Sequence, residues 1–503
     1  MKRLALISFG LAAAVPAMAQ RHPNIVLFMV DDMGWEDSSV PFWSQPVPNN
    51  GLYETPNMER LASQGMMFTQ AYASSISSPS RCSLLTGANA ARHRVTNWTL
   101  NKDESTDIPC DTLALPAWNY NGISPVAGVN NSYLCKSFVQ ILAENGYHTI
   151  HCGKAHFGAA GTPGEDPLKL GFDVNIAGHA GGGPASYLSE DNYGHASDGT
   201  PVSPFAIPGL EKYWDSGTFL TEALTREALA ALDTASAPFF LYMAHYAVHI
   251  PIDRDPRYFR KYLEKGMSEK EAAYAALIEG MDKSLGDLMD WLDERGLAED
   301  TVVIFMSDNG GYCTRTWWRD EPLYTQNYPL NSGKGSAYEG GIREPMIVRW
   351  PGVAAAGSRC GTPLIIEDFF PSILEMAGIR TWNVPQKVDG KSFVRLLRNP
   401  GRRSRHRFMV WNYPNIWGDP GPGIGPTCTI RMGDWKLIHY YADGHKELFN
   451  IADDIGETTD LAADRPSIVR RLSRRLGRYL RRVDAQRPSL VRTGAPCPWP
   501  DEI

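Results

Sequence analysis

The run Asn24-Ile25-Val26-Leu27-Phe28-Met29-Val30 carries no charge and no apolar/polar alternation, and it ends abruptly in Asp31-Asp32-Met33-Gly34. A strand exposed on one face alternates. One that does not alternate is covered on both faces, as happens in parallel sheets flanked by helices. Residues 301–306 repeat the pattern and end in Ser307-Asp308-Asn309-Gly310-Gly311, and residues 238–244 lead in the same way to His245 and His249. Polar groups at the carboxyl ends of parallel strands are where such sheets bind ligands. The chain is therefore expected to be α/β, with a large mixed, mostly parallel sheet flanked by helices.

Helix signals fill the intervals. Thr55-Pro56-Asn57 reads as the capped start of one helix, and Ser268 with Glu271 forms a capping box ahead of a long helix that Gly296 stops. After the Asn399-Pro400-Gly401 break, four short strand candidates between 408 and 450 and a helix over 466–483 predict a smaller C-terminal α+β subdomain containing an antiparallel sheet and a helix. The chain thus divides into residues 1–19, 20–400 and 401–503. The last helix sets Ile468, Leu472 and Leu476 on one face and seven arginines elsewhere, a solvated face expected to pair with nearby acids.

Lys2 and Arg3, an apolar stretch to Val15 and Ala17-Met18-Ala19 form a secretory leader cleaved after Ala19, so the protein is expected to be exported, periplasmic or secreted. No later stretch supports stable membrane insertion. Losing the leader takes the formal net charge from −7 to −9, which argues against nucleic acid as a partner. Eight scattered cysteines without a Cys-x-x-Cys pair argue against zinc and leave disulfides open, Cys110 with Cys135 being one pairing.

Residues 77–87, Ser-Ser-Pro-Ser-Arg-Cys-Ser-Leu-Leu-Thr-Gly, combine hydroxyls, a proline suited to a first helical turn and a permanent cation. Ser77 is placed at a helix N-terminus, where free N–H groups attract anions, and Arg81 adds a forked donor for a tetrahedral oxyanion. Lys154 and His156 fall two residues apart at a strand end and are expected to point the same way. Lys334 lies between two glycines, which permit close backbone approach. Asp31, Asp32, Asp308 and Asn309 offer only oxygens, so a metal there is hard, calcium (Ca2+) ahead of magnesium (Mg2+). His179, His195, His245, Trp411 and Trp417 are the candidates for ligand contact, the aromatic pair because flat apolar faces stack on aromatic rings.

In this order, these segments resemble the type I sulfatases of the alkaline-phosphatase superfamily. Ser77-Ser78-Pro79-Ser80-Arg81 with Leu85-Thr86-Gly87 resembles the serine-type signature; Asp31-Asp32, Gly153-Lys154-x-His156, His249, Gly333-Lys334-Gly335 and Glu447-Leu448-Phe449-Asn450 resemble further family motifs. The resemblance implies hydrolysis of sulfate esters, with a sulfated saccharide as substrate. It implies that a serine-type maturating enzyme converts Ser77 to formylglycine before export, and that Asp31, Asp32, Ser77, Asp308 and Asn309 bind the metal. Arg81, Lys154 and Lys334 would offset developing charge, His249 would protonate the leaving oxygen, and His156 would assist release of sulfate. Two other readings stay open: a phosphate or phosphonate ester hydrolase on the same fold, and a non-catalytic binder of sulfated glycans if Ser77 remains a serine.

Overall fold

The computed structural model describes residues 22–312, 327–418 and 421–503. The leader ending at Ala19, Cys313 and the segment around Trp317 and Trp318 lie outside the described residues.

Among the described residues the central sheet has nine strands: β1 Asn24–Val30, β2 Met66–Tyr72, β3 His148–Gly153, β4 Val174–Ile176, β5 Phe239–Ala244, β6 Thr301–Ser307, β7 Arg343–Arg349, β8 Ser358–Cys360 and β9 Leu364–Ile365. Their lateral order is β8-β2-β7-β6-β1-β5-β3-β4, with β9 also paired to β2. Strand β1 runs parallel to β5 and β6, and β3 parallel to β5 and β4. Strand β7 is antiparallel to both of its neighbours.

Because β1 is covered on both sides, its alternate residues feed two cores. Ile25, Leu27 and Met29 join Phe138, Phe240 and Phe370. Val26, Phe28 and Val30 join Leu277, Met281 and Leu285. Each such side chain contributes roughly 1.5–3 kcal/mol relative to exposure. The covering helices include α1 Pro56–Gln64, α2 Ser77–Thr86, α3 Phe138–Glu144, α4 Leu220–Thr234, α5 Glu269–Glu294 and α6 Phe369–Met376. The capping box of Ser268 and Glu271 starts α5. The start of α1 departs from its sequence signal, for the Thr55 hydroxyl faces Ser39 and gives no cap. Asp282 of α5 instead accepts the N–H groups of Asn57 at 3.0 Å and Met58 at 2.7 Å, and burial pushes its pKa up to about 7.

Strands β10 Met409–Tyr413, β11 Thr427–Met432, β12 Trp435–Tyr440 and β13 Lys446–Asn450 form an antiparallel sheet in chain order. Helix α7, Pro466–Arg482, packs Leu472, Leu476 and Leu480 with Ile430 and Leu437 of that sheet. The junction with the large sheet is also ionic: Lys436 of β12 reaches Glu457 at 2.8 Å and Glu339 at 3.1 Å, all three side chains fully buried. Cys110 and Cys135 are separate free thiols, so that pairing is not made.

Candidate active site

Strand register brings four carboxyl ends level. Val30 pairs with Ser307, and Met29 and Gly153 both pair with Ala244. Backbone bonds carry the alignment past the strands: Asp31 N–H to Ala247 at 2.9 Å, Asp308 N–H to Val30 at 3.0 Å and Lys154 N–H to Ala244 at 2.7 Å. The residues just past the strand ends therefore converge: Asp31 and Asp32 after β1, Lys154 after β3, His249 after β5, Asp308 and Asn309 after β6. Helix α2 begins at Ser77 after an extended Ile76, and Lys334 arrives on a loop tied by the Gly335 N–H to Ser75 at 2.7 Å.

Ser77 Oγ lies 3.3 Å from Asp31 Oδ1 and 3.1 Å from Asn309 Oδ1. Lys154 Nζ donates to it at 2.9 Å while pairing with Asp31 Oδ2 at 2.6 Å. Asn309 Nδ2 donates to Asp32 Oδ1 at 2.8 Å, and Lys334 Nζ to Asp32 Oδ2 at 2.7 Å. Arg81 Nε bonds Asp308 Oδ2 and Nη1 bonds the Lys154 carbonyl, each at 2.8 Å, leaving Nη2 without a partner among the described residues. His249 Nε2 is 3.6 Å from Asp32 Oδ2, with Nδ1 at 2.8 Å from the Ile250 carbonyl. His156 Nε2 is 2.9 Å from the Thr99 carbonyl, and its Nδ1 has no partner among the described residues.

Burial is the largest influence on these charges. It pushes Asp31 up to about 8 against the pull of Lys154, with Asp308 and Asp32 adding to the rise. On Asp32 the same burial is outweighed by Lys334 and His249, so its carboxyl stays below the usual range. Burial and then Lys334 bring His249 down to about 3 despite Asp32. Burial, Lys154 and Arg81 hold His156 well below its ordinary value. Both imidazoles are neutral in this state. Burial lowers Lys154, whereas on Lys334 Asp32 and Asp31 overcome it and raise the ammonium.

Asp31, Asp32 and His249 place ligand atoms within 4.8 Å of one another, forming a candidate metal site. His249 here joins the oxygen-only set read from the sequence, of which Asp308 also bonds Arg81 through Oδ2. Asp308 Oδ1 still reaches the Asp32 N–H at 3.4 Å, and Asn309 bridges Ser77 and Asp32. Three buried carboxylates and a carboxamide oxygen, linked to one another and already drawing in three cationic side chains, fit a hard divalent ion.

The other candidates divide. Trp417 belongs to the site: its ring is 5.6 Å from Lys334 Nζ and 5.7 Å from Tyr312, edge to face. His179 supports His156, whose N–H bonds its carbonyl at 3.3 Å. His195 lies against Trp214 and bonds the Asn192 carbonyl. His245 sits in the core, its Nε2 at 2.8 Å from Ser284 of α5. Trp411 is buried against Tyr72, with Nε1 bonded to the Ala73 carbonyl. His245 and Trp411 are thus buried in the packing while His195 is half-buried in a loop; in sequence, a ring bonded inside the core looks the same as a pocket wall. Lys154 and His156 lie beyond the end of β3, and His156 has φ +57°, so strand alternation is not what orients them. Sequence reasoning missed Tyr312 and Tyr242, whose hydroxyl is 3.4 Å from Arg81. The glycine run Gly181-Gly182-Gly183, in a loop-rich region whose length suggests a pocket lining, forms a strap laid across the histidines: a Cβ on Gly182 would sit 2.5 Å from the His156 ring, and one on Gly183 would sit 2.7 Å from that of His249.

A hydroxyl at a helix N-terminus, flanked by carboxylates and by cations on both sides, defines a hydrolase of tetrahedral oxyanion esters. Comparison with known proteins narrows this class. A family model described as Sulfatase matches residues 23–379, and one described as N-sulphoglucosamine sulphohydrolase, C-terminal, matches residues 333–485. A sulfatase of Formosa agariphila is 31% identical over 89% of this chain and 86% of its own length. The N-acetylgalactosamine-6-sulfatase of Mus musculus is 32% identical over 91% of this chain and 85% of its own. The crystal structure of Ps i-CgsB in complex with k-i-k-neocarrahexaose superposes with a TM-score of 0.70 at 26% identity, covering 92% of this chain and 93% of that one. The chain belongs to the sulfatase family and is a sulfuric ester hydrolase.

Proposed function

We propose that this sulfatase removes sulfate from carbohydrates outside the cytoplasm, with Ser77 converted to formylglycine and a divalent cation, calcium ahead of magnesium, held by Asp31, Asp32, Asp308 and Asn309 together with the converted Ser77. The observation that carries the reading is Ser77 itself, 3% exposed and held between Asp31, Asn309 and the Lys154 ammonium. Carbohydrate as the substrate class is supported by a relative named for N-acetylgalactosamine-6-sulfate chemistry and a neighbour that holds a neocarrahexaose.

An unmodified serine that attacked sulfur would be left as a stable sulfate ester. A serine-type maturating enzyme that removes two hydrogens before export yields an aldehyde, whose hydrate supplies one hydroxyl for attack and another to expel sulfate. The cation would add Lewis acidity toward the sulfate oxygens. Lys154 touches both Ser77 and Asp31 and so fixes the charge beside the nucleophile, while the unpartnered N–H of Arg81 and the Lys334 ammonium bind non-bridging oxygens. The bond from sulfur to the bridging oxygen breaks, and that oxygen must gain a proton. His249 supplies it at Nε2: burial chiefly keeps the imidazole neutral in the free enzyme, and an anionic ester set against Lys334 offsets the second influence, the Lys334 charge, and adds its own attraction for a proton. The unpartnered Nδ1 of His156 accepts a proton as sulfate departs. Tyr312 and Trp417 offer an aromatic wall beside Lys334 for a sugar face.

The test is peptide mass spectrometry across Ser77 on protein from its exporting host, with parallel turnover of a sulfated monosaccharide and a phosphate monoester. A mass about two units low at Ser77, with sulfate released faster than phosphate, is expected. An unmodified serine without turnover would leave a glycan binder, and faster phosphate release would leave a phosphohydrolase.

A further inference from the structure

We propose that the solvent face of α7 is a second, non-catalytic binding surface for a polysulfated glycan chain, holding the enzyme on the polymer whose esters it cleaves; this rests on the carbohydrate reading above. The helix contains seven arginines and no acid in 17 residues. Its apolar edge is already used, since Leu472, Leu476 and Leu480 are packed in the C-terminal core. Arg481 is compensated by Asp501 and Glu502. Arg470, Arg471, Arg474, Arg475 and Arg478 are exposed, and among the described residues none of the five forms an ion pair. Among the described residues, the acids expected to pair with this face reach Arg481 and none of these five. With Ser467 and Met432 the five arginines line an open groove of about 340 Å³.

Arg470 and Arg474, Arg471 and Arg475, and Arg474 and Arg478 are like charges one helical turn apart, an arrangement that weakens a helix. The repulsion brings no packing in return, apart from Arg475 lying 5.5 Å over the Phe408 ring. A polyanion along the groove would relieve it. From Arg470 to Arg478 the ridge is ~12 Å long, and guanidinium forks match the oxygens of a sulfate half-ester. The formal charge of the whole chain is −7, so this face is a local reversal of sign rather than part of a generally basic surface. A bilayer is a poorer occupant, because the apolar side that an interfacial helix would insert is buried here.

The experiment is affinity electrophoresis of the full chain through gels containing dextran sulfate, neutral dextran or duplex DNA. It compares wild type with the triple variant Arg471→Gln, Arg474→Gln, Arg478→Gln, and both are assayed on a sulfated monosaccharide. Dextran sulfate should retard the wild type and neutral dextran should not. The variant should bind dextran sulfate at least about tenfold more weakly, with a log-affinity against log-salt slope shallower by about one unit per arginine removed. Its monosaccharide turnover should be unchanged and its thermal midpoint no lower, since the substitutions relieve the like-charge pairs. Equal retardation of variant and wild type, or no retardation at all, would overturn the proposal, and stronger retention by duplex DNA would reassign the ridge to nucleic acid. Dextran sulfate binding is read without turnover, so a failed carbohydrate assay and a failed ridge are distinguishable.

Discussion

Lys154 Nζ lies 2.9 Å from Ser77 Oγ and 2.6 Å from Asp31 Oδ2, with all three side chains buried. One ammonium therefore serves both the nucleophile position and the carboxylate beside it. Lys154→Met should lower kcat on a small sulfate ester by about 10²–10³-fold, the usual loss for one preorganised charge donor, with a smaller change in KM. Lys154→Arg should not restore it, because a planar fork does not fit the space of a point charge. Steady-state kinetics on variants with native thermal midpoints would check this, and a Lys154→Met enzyme within threefold of wild type would remove Lys154 from the mechanism.

Metal dependence is expected of the same cluster. Asp31, Asp32 and Asp308 are packed together in the buried site, and Asp31 is pushed up to about 8 even with Lys154 in contact. A bound divalent ion should stabilise the folded chain as RT ln(1 + [M]/Kd), so the melting temperature should rise with added calcium and fall on chelation, with turnover changing in parallel. Asp32→Asn should flatten that titration. A melting temperature indifferent to calcium, magnesium and chelator would remove the ion.

His406 and Asp368 form a second titrating pair, Nε2 to Oδ1 at 2.7 Å. Burial opposes the charged ring, but Asp368 overrides it and raises the pKa above the ordinary 6.5. A folded-state value above the unfolded one means the pair's contribution is complete below about pH 6.5 and is lost as pH rises through the folded value. The stability difference between wild type and His406→Gln, measured by urea unfolding, should therefore be largest near pH 6 and shrink toward pH 8. A difference that grows with pH would show the sign to be wrong.

The strand tips are legible in sequence because a run such as Ile25 to Val30 has few ways to be buried, and its alternate residues do feed both cores. Motif order likewise placed Asp31, Asp32, Ser77, Arg81, Lys154, His249, Asp308 and Lys334 in segments that the register then brings together. Single rings were the weak point. Trp411 and Trp417 lie six residues apart in one aromatic stretch, yet one is bonded to the Ala73 carbonyl in the core and the other faces Lys334. The distinction arises from a crossing between the C-terminal sheet and β2, which no local pattern encodes. The Asp282 cap on α1 was hidden for the same reason, since its partners are more than two hundred residues away in sequence.

That C-terminal sheet is held to the catalytic layer by Lys436, between Glu339 and Glu457, all at zero side-chain exposure. Glu457 also accepts the Glu339 N–H at 2.5 Å, so the bond reaches the segment that carries Lys334. Burial raises Glu457 to about 7 despite Lys436, and without that ammonium two buried carboxylates would face each other. Arg343 remains to compensate Glu339 at 3.3 Å, but among the described residues Glu457 has no other ion pair. Lys436→Met should therefore cost about 3–5 kcal/mol, as breaking one side of a buried pair does, whereas adding Glu457→Gln to it should recover part of the loss. Urea unfolding of the two single variants and the double variant measures the coupling. A Lys436→Met loss below about 1 kcal/mol, the scale of an exposed pair, would show that apolar packing alone joins the layers.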